Sequence, residues 1–299
     1  MPSPLPPEFH NANHMMREPN LFGRISRLPA LRSSTRQLLS VSLESDSATS
    51  EFERAFRADP ALAAELLQTA NPPLYGLRAR VSSIRHALSM LGLERVRSLA
   101  LTITMSGYWC TCRADEAIRG PWRHSLATAA IAEGLGRADQ AQSPMLYTPG
   151  LLHDIGRLAL FQICSTKYQQ VVATEFTSIQ EYLALENLLF ECGHDDAGAF
   201  LATAWGLPVA LCDCIRFHHC DLANHAGQLF ELVGVACRLA DTLGYPEVRR
   251  ADVEQEGSTL VSLLPLRLRT SPDLTLEALR AKVETQLAAF SGRGPGGIN

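Results

Sequence analysis

Apolar residues recur at spacings of three and four along most of this chain, and this pattern predicts helices. In one such stretch, Leu62, Leu66 and Leu67 fall on a single face. Asp59 precedes it as the predicted N-cap, with Pro60 at the first helical position. No alternation of period two rises above background, so we expect an all-α protein. Helices are predicted over residues 31–43, 51–58, 61–69, 82–91, 93–106, 124–134, 145–164, 179–190, 194–205, 208–218, 231–243 and 274–290.

Changes in composition divide the chain into four parts. Residues 1–20 are rich in Pro, Asn and Met and show no periodicity, which predicts a flexible arm. A helical subdomain is predicted over residues 21–119, and a Gly-Pro pair then opens a second subdomain over residues 120–249. Residues 250–299 contain one C-terminal helix and a glycine-rich, flexible tail. The two helical subdomains are expected to pack against each other.

The most informative polar residues lie in one apolar run, GLLHDIGRLALFQIC, over residues 150–164. His153 and Asp154 are adjacent there, among leucine, isoleucine and alanine. A carboxylate in such surroundings is costly unless it is paired or binds a metal. The imidazole beside it indicates either an ion pair or two metal ligands. Because adjacent helical residues point about 100° apart, both can bind one metal only if a second helix crosses near them.

Further candidate ligands lie within or at the ends of other apolar helices: His124, His194, His218, His219 and Asp241. Together with the first pair they supply imidazoles and carboxylates for one or two divalent transition-metal ions, with iron, manganese and zinc as candidates. Structural interpretations stay open beside this one. They are an Asp–His pair inside a helix bundle, a helix N-terminus at His194, and a helix C-terminus at the two adjacent histidines.

The order of these residues resembles the motif H…HD…D of the HD superfamily, which His124, His153–Asp154 and Asp241 match. The stretch DPALAAELLQTANPPLYGLRARVSSIRHALSMLGLERVRSLAL, residues 59–101, resembles the N-terminal half of the HDOD family. The resemblance extends over most of the chain. It implies an all-helical, bacterial protein in which an HDOD subdomain packs on an HD-type helical bundle. It also implies a regulatory or signal-transduction module that retains an HD-type metal site, with weak or no catalysis.

A second related family is HD-GYP, whose members are cyclic di-GMP phosphodiesterases. Its ligand order of His, His-Asp, His, His-His and Asp is matched by all the candidate ligands. Two features depart from it. Arg157 stands where that family has a lysine, and the Gly-Tyr-Pro at residues 244–246 follows Asp241 instead of the paired histidines. The alternative function is a metal-dependent phosphohydrolase acting on a nucleotide or cyclic dinucleotide, with Arg123 and Arg157 as candidate phosphate-binding residues.

Composition sets the remaining expectations. The 299 residues include 46% hydrophobic ones and carry a net charge of −4, which predicts a globular protein without general attraction for nucleic acid. No run reaches the ~20 apolar residues that cross a bilayer, and the N-terminus lacks signal-peptide features, so we expect a cytoplasmic protein that does not bind membranes. The eight cysteines lack C-x₂-C spacing and are interpreted as reduced, buried thiols. The expected partners are a signalling protein or a nucleotide.

Overall fold

The computed structural model of this chain describes residues 21–71, 81–110, 116–139, 146–220, 229–248, 264–271 and 274–291. Helices dominate these residues, and no β-strand occurs among them, which confirms the all-α fold. The predicted arm over residues 1–20 and the end of the predicted tail lie outside the described residues. The helices are α1 (Leu21–Ile25), α2 (Ser33–Ser40), α3 (Ala48–Ala58), α4 (Pro60–Ala70), α5 (Ile84–Cys110), α6 (Glu116–Ala138), α7 (Tyr147–Leu152), α8 (Ile155–Ile163), α9 (Ser165–Ala173), α10 (Ile179–Phe190), α11 (His194–Ala204), α12 (Val209–Phe217), α13 (Leu229–Thr242) and α14 (Leu276–Ser291).

Helix α4 forms as its sequence predicts. The Asp59 side chain accepts a 3.0 Å hydrogen bond from the Leu62 N–H, and Pro60 is the first helical residue. Leu62 and Leu66 are fully buried, and α4 packs against α5. Because burying a leucine side chain contributes roughly 1.5–3 kcal/mol, these two residues fix α4 within the N-terminal group of helices.

Helix α5 contains the break predicted at Gly92, whereas α6 lacks the one predicted at Gly120-Pro121. Two helical segments meet at a kink at Gly92, whose φ of +80° and ψ of 160° are not helical. Helix α6 runs without interruption through Gly120 and Pro121. The neighbouring side chains of Ile118 and Trp122 are buried, and their packing outweighs the weak helix propensity of the Gly-Pro pair. One apolar core continues from α1 to α14, and the division into two subdomains stays a prediction.

The single helix predicted over residues 145–164 is instead two helices, α7 and α8. His153 and Asp154 lie at the junction, where Asp154 has φ −100° and ψ 15°. The break changes the directions that one continuous helix would impose on these adjacent side chains. Helix α9 follows directly and was not predicted.

Two glycines allow the helices around this junction to come into backbone contact. A Cβ atom on Gly150 in α7 would lie 2.9 Å from the Cβ of Ala132 in α6. A Cβ atom on Gly156 in α8 would lie only 1.8 Å from the carbonyl oxygen of His194 and 2.6 Å from the Gly198 nitrogen, both in α11. The α7–α8 junction is therefore held close to α6 on one side and to α11 on the other.

Helix α6 is central among the helices that follow α5, with α7, α13 and α14 packed around it. Helix α11 lies between α8 and α12. Within the described ranges, no helix is both long and apolar enough to cross a membrane.

We expect the variant Gly156→Ala to lower the free energy of unfolding by at least 1–3 kcal/mol, because its methyl group would collide with the α11 backbone. Gly107→Ala is the matched control, since that position in α5 has open space around a new Cβ. For Gly107→Ala we expect the free energy of unfolding to rise by about 0.5–1 kcal/mol, because alanine has a higher helix propensity than glycine. Urea unfolding followed by circular dichroism measures both. Equal stability of Gly156→Ala and wild type would contradict the close contact.

Candidate metal centre

The fold brings the candidate ligands together from five elements, and all of them are buried except His219, which is half-buried. They come from the middle of α6, the α7–α8 junction, the start of α11, the end of α12 and the last turn of α13. In that order they are His124; His153 and Asp154; His194; His218 and His219; and Asp241.

The first group of nitrogen donors is formed by His124 and His153. Each places its Nδ1 atom 2.7 Å from a backbone carbonyl oxygen, that of Tyr245 for His124 and that of Gly150 for His153. Because a carbonyl oxygen can only accept a hydrogen bond, both Nδ1 atoms carry the proton. In the neutral rings a lone pair is left on each Nε2 atom, and these two atoms are only 3.2 Å apart.

The second group is formed by His194, His218 and His219. The Nδ1 atom of His194 is 2.6 Å from a carboxylate oxygen of Glu186, and that of His218 is 2.7 Å from the Ile215 carbonyl oxygen. These contacts again place the Nδ1 proton on the outer side of each ring, so that the Nε2 lone pairs face inward when the rings are neutral. The Nε2 atoms of His194 and His219 are 3.0 Å apart.

The Asp154 carboxylate lies between the two groups. Its Oδ1 atom is 3.3 Å from His194 Nε2 and 3.4 Å from His218 Nε2. Its Oδ2 atom is 3.5 Å from His153 Nε2 and 3.9 Å from His124 Nε2. One carboxylate therefore faces both groups of imidazoles, one oxygen to each.

These donors fit a divalent transition metal. Facing lone pairs repel each other unless a cation or a proton lies between them. Asp154 Oδ1 and His218 Nε2 are buried and have no hydrogen-bond partner in the part of the chain that the structure describes. Imidazole nitrogens and a carboxylate oxygen suit zinc, iron and manganese. Metal-binding histidines typically donate a hydrogen bond from the other ring nitrogen to a carbonyl or carboxylate oxygen, as these rings do to backbone carbonyls and Glu186.

The electrostatic environment keeps Asp154, His153 and His219 in the protonation states that bind a metal. Burial lowers the pKa of His153 to about 3, and burial together with the neighbouring His218 lowers that of His219. Burial opposes ionisation of Asp154, but the adjacent Arg157 guanidinium and His153 hold the pKa of that carboxyl well below its usual range. Neutral imidazoles and an ionised carboxylate are the forms that bind metals.

Asp241 lies on the other side of His124. Its Oδ1 atom is 3.2 Å from the Nδ1 atom of that ring, while the facing lone pairs belong to Nε2. Glu247 also approaches Nδ1, at 3.5 Å. The structure therefore brings Asp241 to the site but places it behind His124, where it can orient the ring.

Several residues near the centre were not identified from the sequence. Glu186 holds His194, Glu247 lies beside His124, and the Cys237 sulfur is 3.5 Å from His124 Nε2. Cys237 lies one turn before Asp241 in α13, so helical spacing could have indicated it. Glu186 and Glu247 carry no comparable signal in the sequence.

Arg157 is fully buried and is held by acidic and aromatic side chains. Its Nε atom is 2.7 Å from Asp154, and its Nη2 atom is 3.5 Å from Glu247. It donates a hydrogen bond to the Tyr182 hydroxyl and lies 4.6 Å from the centre of that ring. Arg123 is instead exposed, 5.7 Å from the centre of the Tyr245 ring. The phosphate-binding role of both arginines stays a prediction.

Comparison with known proteins identifies the family. The model of the HDOD domain matches residues 28–220, which is more than half of the chain. The chain belongs to the HDOD family. The HDOD match includes the candidate ligands from His124 to His219 and ends before α13, so Cys237, Asp241 and Glu247 lie beyond it.

An uncharacterized protein of Treponema pallidum (strain Nichols) is 27% identical over 273 residues, which is 89% of this HDOD protein and 52% of that relative. The chain thus spans about half of the relative's length. An HDOD domain protein with unknown function from Geobacter sulfurreducens has a crystal structure with a TM-score of 0.65 and 24% identity, covering 88% of this chain and 92% of that one. A candidate phosphohydrolase from Shewanella amazonensis SB2B has a TM-score of 0.63 and 21% identity, covering 90% and 96%. The two structures share the fold of this chain.

The His194–Glu186 pair makes stability depend on pH in the metal-free protein. Burial and Arg157 lower the pKa of His194, but Glu186 and Asp154 outweigh them and raise it from 6.5 to about 9. The contribution of protonated His194 to the free energy of unfolding is therefore fully present below pH 6.5 and is lost as the pH rises through about 9. We expect the free energy of unfolding of chelator-treated protein to fall over this range.

We expect Glu186→Gln to remove the part of this decrease that is due to His194. Glu191→Gln, at the exposed end of the same helix, is the control and should keep the wild-type pH dependence. Urea unfolding at several pH values measures all three proteins. The same slope in Glu186→Gln and wild type would show that this pair does not couple stability to protonation.

Proposed function

We propose that this chain is a cytoplasmic regulatory module of the HDOD family that holds a divalent transition metal in a buried histidine–aspartate centre and has weak or no catalysis. The burial of the donor atoms carries this proposal. Every candidate ligand except His219 is buried, and Arg157 is enclosed with them. A metal enclosed in this way can stabilise one arrangement of the helices. A catalytic metal, in contrast, must be reached by a substrate, which this enclosure disfavours.

The donors come from elements far apart in sequence, so a bound metal would connect them. The Nε2 atoms belong to α6, the α7–α8 junction, α11 and the end of α12. Because unfolding would separate these donors, the free energy of metal binding would add to the stability of the folded chain. Occupancy of the centre would then favour one packing of these helices over alternatives.

The N-terminal helices are the proposed surface for a signalling-protein partner. They rest directly on the helices that carry the donors. The Arg24 side chain donates a 2.6 Å hydrogen bond to the Ile163 carbonyl oxygen at the end of α8, and the Trp205 indole N–H donates one of 3.2 Å to the Pro29 carbonyl oxygen. Helix α1 also packs against α8 and α11. A shift of either helix would therefore reach the N-terminal part.

A second candidate function is a metal-dependent phosphohydrolase acting on a nucleotide or cyclic dinucleotide. The position of Asp154 favours it, because its two oxygens face two separate groups of histidines, as a carboxylate between two metal ions would. A bound divalent metal would polarise a phosphoryl oxygen and make a water molecule more acidic. The likeness to the candidate phosphohydrolase from Shewanella amazonensis SB2B agrees with this possibility.

We expect purified wild-type protein to contain iron, manganese or zinc, and Asp154→Ala to lose both metal and thermal stability. The reason is that the Asp154 carboxylate faces both groups of imidazoles. Asp196→Ala is the control, since that aspartate is exposed at the start of α11. Elemental analysis and thermal unfolding measure the three proteins. Metal sites of this kind ordinarily bind tightly. A metal content below about a tenth of an ion per wild-type chain after reconstitution would therefore contradict the proposed metal centre.

A turnover assay distinguishes the regulatory module from the phosphohydrolase. We expect no appreciable hydrolysis of cyclic di-GMP or of a panel of nucleotides by protein loaded with manganese or iron, since the donors are enclosed. The assay includes His153→Ala, which removes a central donor. Robust metal-dependent turnover by wild type that disappears in His153→Ala would establish the second candidate function and reject the first.

A further inference from the structure

We infer that Cys237 supplies a sulfur ligand to the metal at His124 and His153, in the position that the HD motif would give to Asp241. This inference rests on the proposed metal centre and adds a ligand to it. It makes the His124 side of the centre a mixed nitrogen–sulfur site.

The Cys237 sulfur lies with the inward-facing nitrogens. It is 3.5 Å from His124 Nε2, and the sulfur, one ring nitrogen of His124 and one of His153 all lie within 4.8 Å of one another. The side chain is buried, with 3% exposure. Asp154 Oδ2, which also contacts Arg157 Nε at 2.7 Å, lies 3.5 Å from His153 Nε2 and 3.9 Å from His124 Nε2.

Two of the separations, both from His124 Nε2, match the edges of a tetrahedral site. With metal–nitrogen distances of about 2.05 Å and a metal–sulfur distance of about 2.3 Å, a tetrahedron separates two nitrogens by about 3.3 Å and a nitrogen and a sulfur by about 3.6 Å. The corresponding separations here are 3.2 Å between the two Nε2 atoms and 3.5 Å between Cys237 Sγ and His124 Nε2.

Helix α13 presents Cys237 and Asp241 to opposite nitrogens of the same ring. The two residues are one helical turn apart and therefore share a face. The sulfur approaches Nε2 of His124, whereas the Asp241 carboxylate approaches Nδ1 at 3.2 Å. An Nδ1 proton held by acceptors behind the ring leaves Nε2 free to bind metal. Asp241 thus acts as a positioning residue, and the sulfur takes the ligand position.

The competing explanation for the contact between Cys237 Sγ and His124 Nε2 is a hydrogen bond. Burial raises the pKa of Cys237 to about 12, so without a metal the thiol is protonated and can donate to His124 Nε2. The Thr128 hydroxyl, 3.3 Å away, is a second possible donor to that nitrogen. A hydrogen bond leaves the sulfur uncoordinated in the metal-loaded protein, whereas coordination makes it a thiolate. A spectroscopic measurement distinguishes these two states.

A sulfur ligand also changes which metal the centre prefers. Thiolates favour zinc and other softer ions, whereas manganese and magnesium prefer oxygen ligands. Wild type should therefore select zinc or cobalt over manganese more strongly than a variant that lacks the sulfur.

The experiment is cobalt(II) substitution of the full chain. Cobalt-loaded wild type should show a near-ultraviolet thiolate-to-cobalt charge-transfer band. Cys237→Ser should lose that band, and its zinc affinity should fall by at least about tenfold. Cys214→Ser is the matched control, because Cys214 is also a fully buried thiol but lies within α12. It should keep both the band and the affinity.

X-ray absorption of zinc-loaded wild type provides a measurement that does not depend on the folding of a variant. We expect a zinc–sulfur distance of about 2.3 Å. Cobalt or zinc bound with neither a charge-transfer band nor a sulfur neighbour would overturn the role of Cys237 while leaving the histidine–aspartate centre intact. A band that persists in Cys237→Ser would also overturn it. If no metal binds to wild type at all, the proposed function fails together with this inference.

Discussion

The buried charge of Asp154 is the constraint on which the arrangement of the site helices depends. An ionised carboxylate without solvent is tolerated only when nearby cations and hydrogen-bond donors replace the water. Arg157 supplies a guanidinium at 2.7 Å, and imidazoles approach both oxygens. Losing one partner of such a buried pair typically costs about 3–5 kcal/mol. Helices that carry these partners therefore cannot move independently of one another.

A count of the buried charges shows what the centre still needs. Asp154, Glu186, Asp241 and Glu247 are all buried, and Arg157 offsets one of these four acidic groups. Burial and the neighbouring Glu247 raise the pKa of Asp241 well above its usual range, which keeps that carboxyl neutral and leaves a charge of about −2. Burial opposes protonation of His124 and His194, yet nearby acids raise both pKa values. Two protonated rings or one divalent metal ion would balance the charge, so protons and metal compete for the same site.

Much of this arrangement could be predicted from the sequence, for identifiable physical reasons. Helical periodicity and the Asp59 cap predicted α4, and apolar surroundings marked His153 and Asp154 as polar residues that need partners. The break between α7 and α8 was not predictable, since the run remains apolar through the junction and the turn depends on contact with other helices. Glu186 and Glu247 were missed because each contacts its histidine, His194 or His124, from a different part of the chain, and the spacing of residues along one sequence does not show which ring an acid will reach.

The two sides of the centre are specified in different ways. Around the α7–α8 junction, backbone contacts at Gly150 and Gly156 leave no room for a side chain and fix where Asp154 can be. On the α13 side, contact with His124 is made by side chains that lie beyond the HDOD match, and it is a sulfur that reaches Nε2. A backbone-fixed junction sets the position of a metal, whereas the donor type on the opposite helix sets its chemical preference. Exchanging a sulfur for a carboxylate on α13 would thus change the preferred metal without changing the packing of α6, α7, α8 and α11.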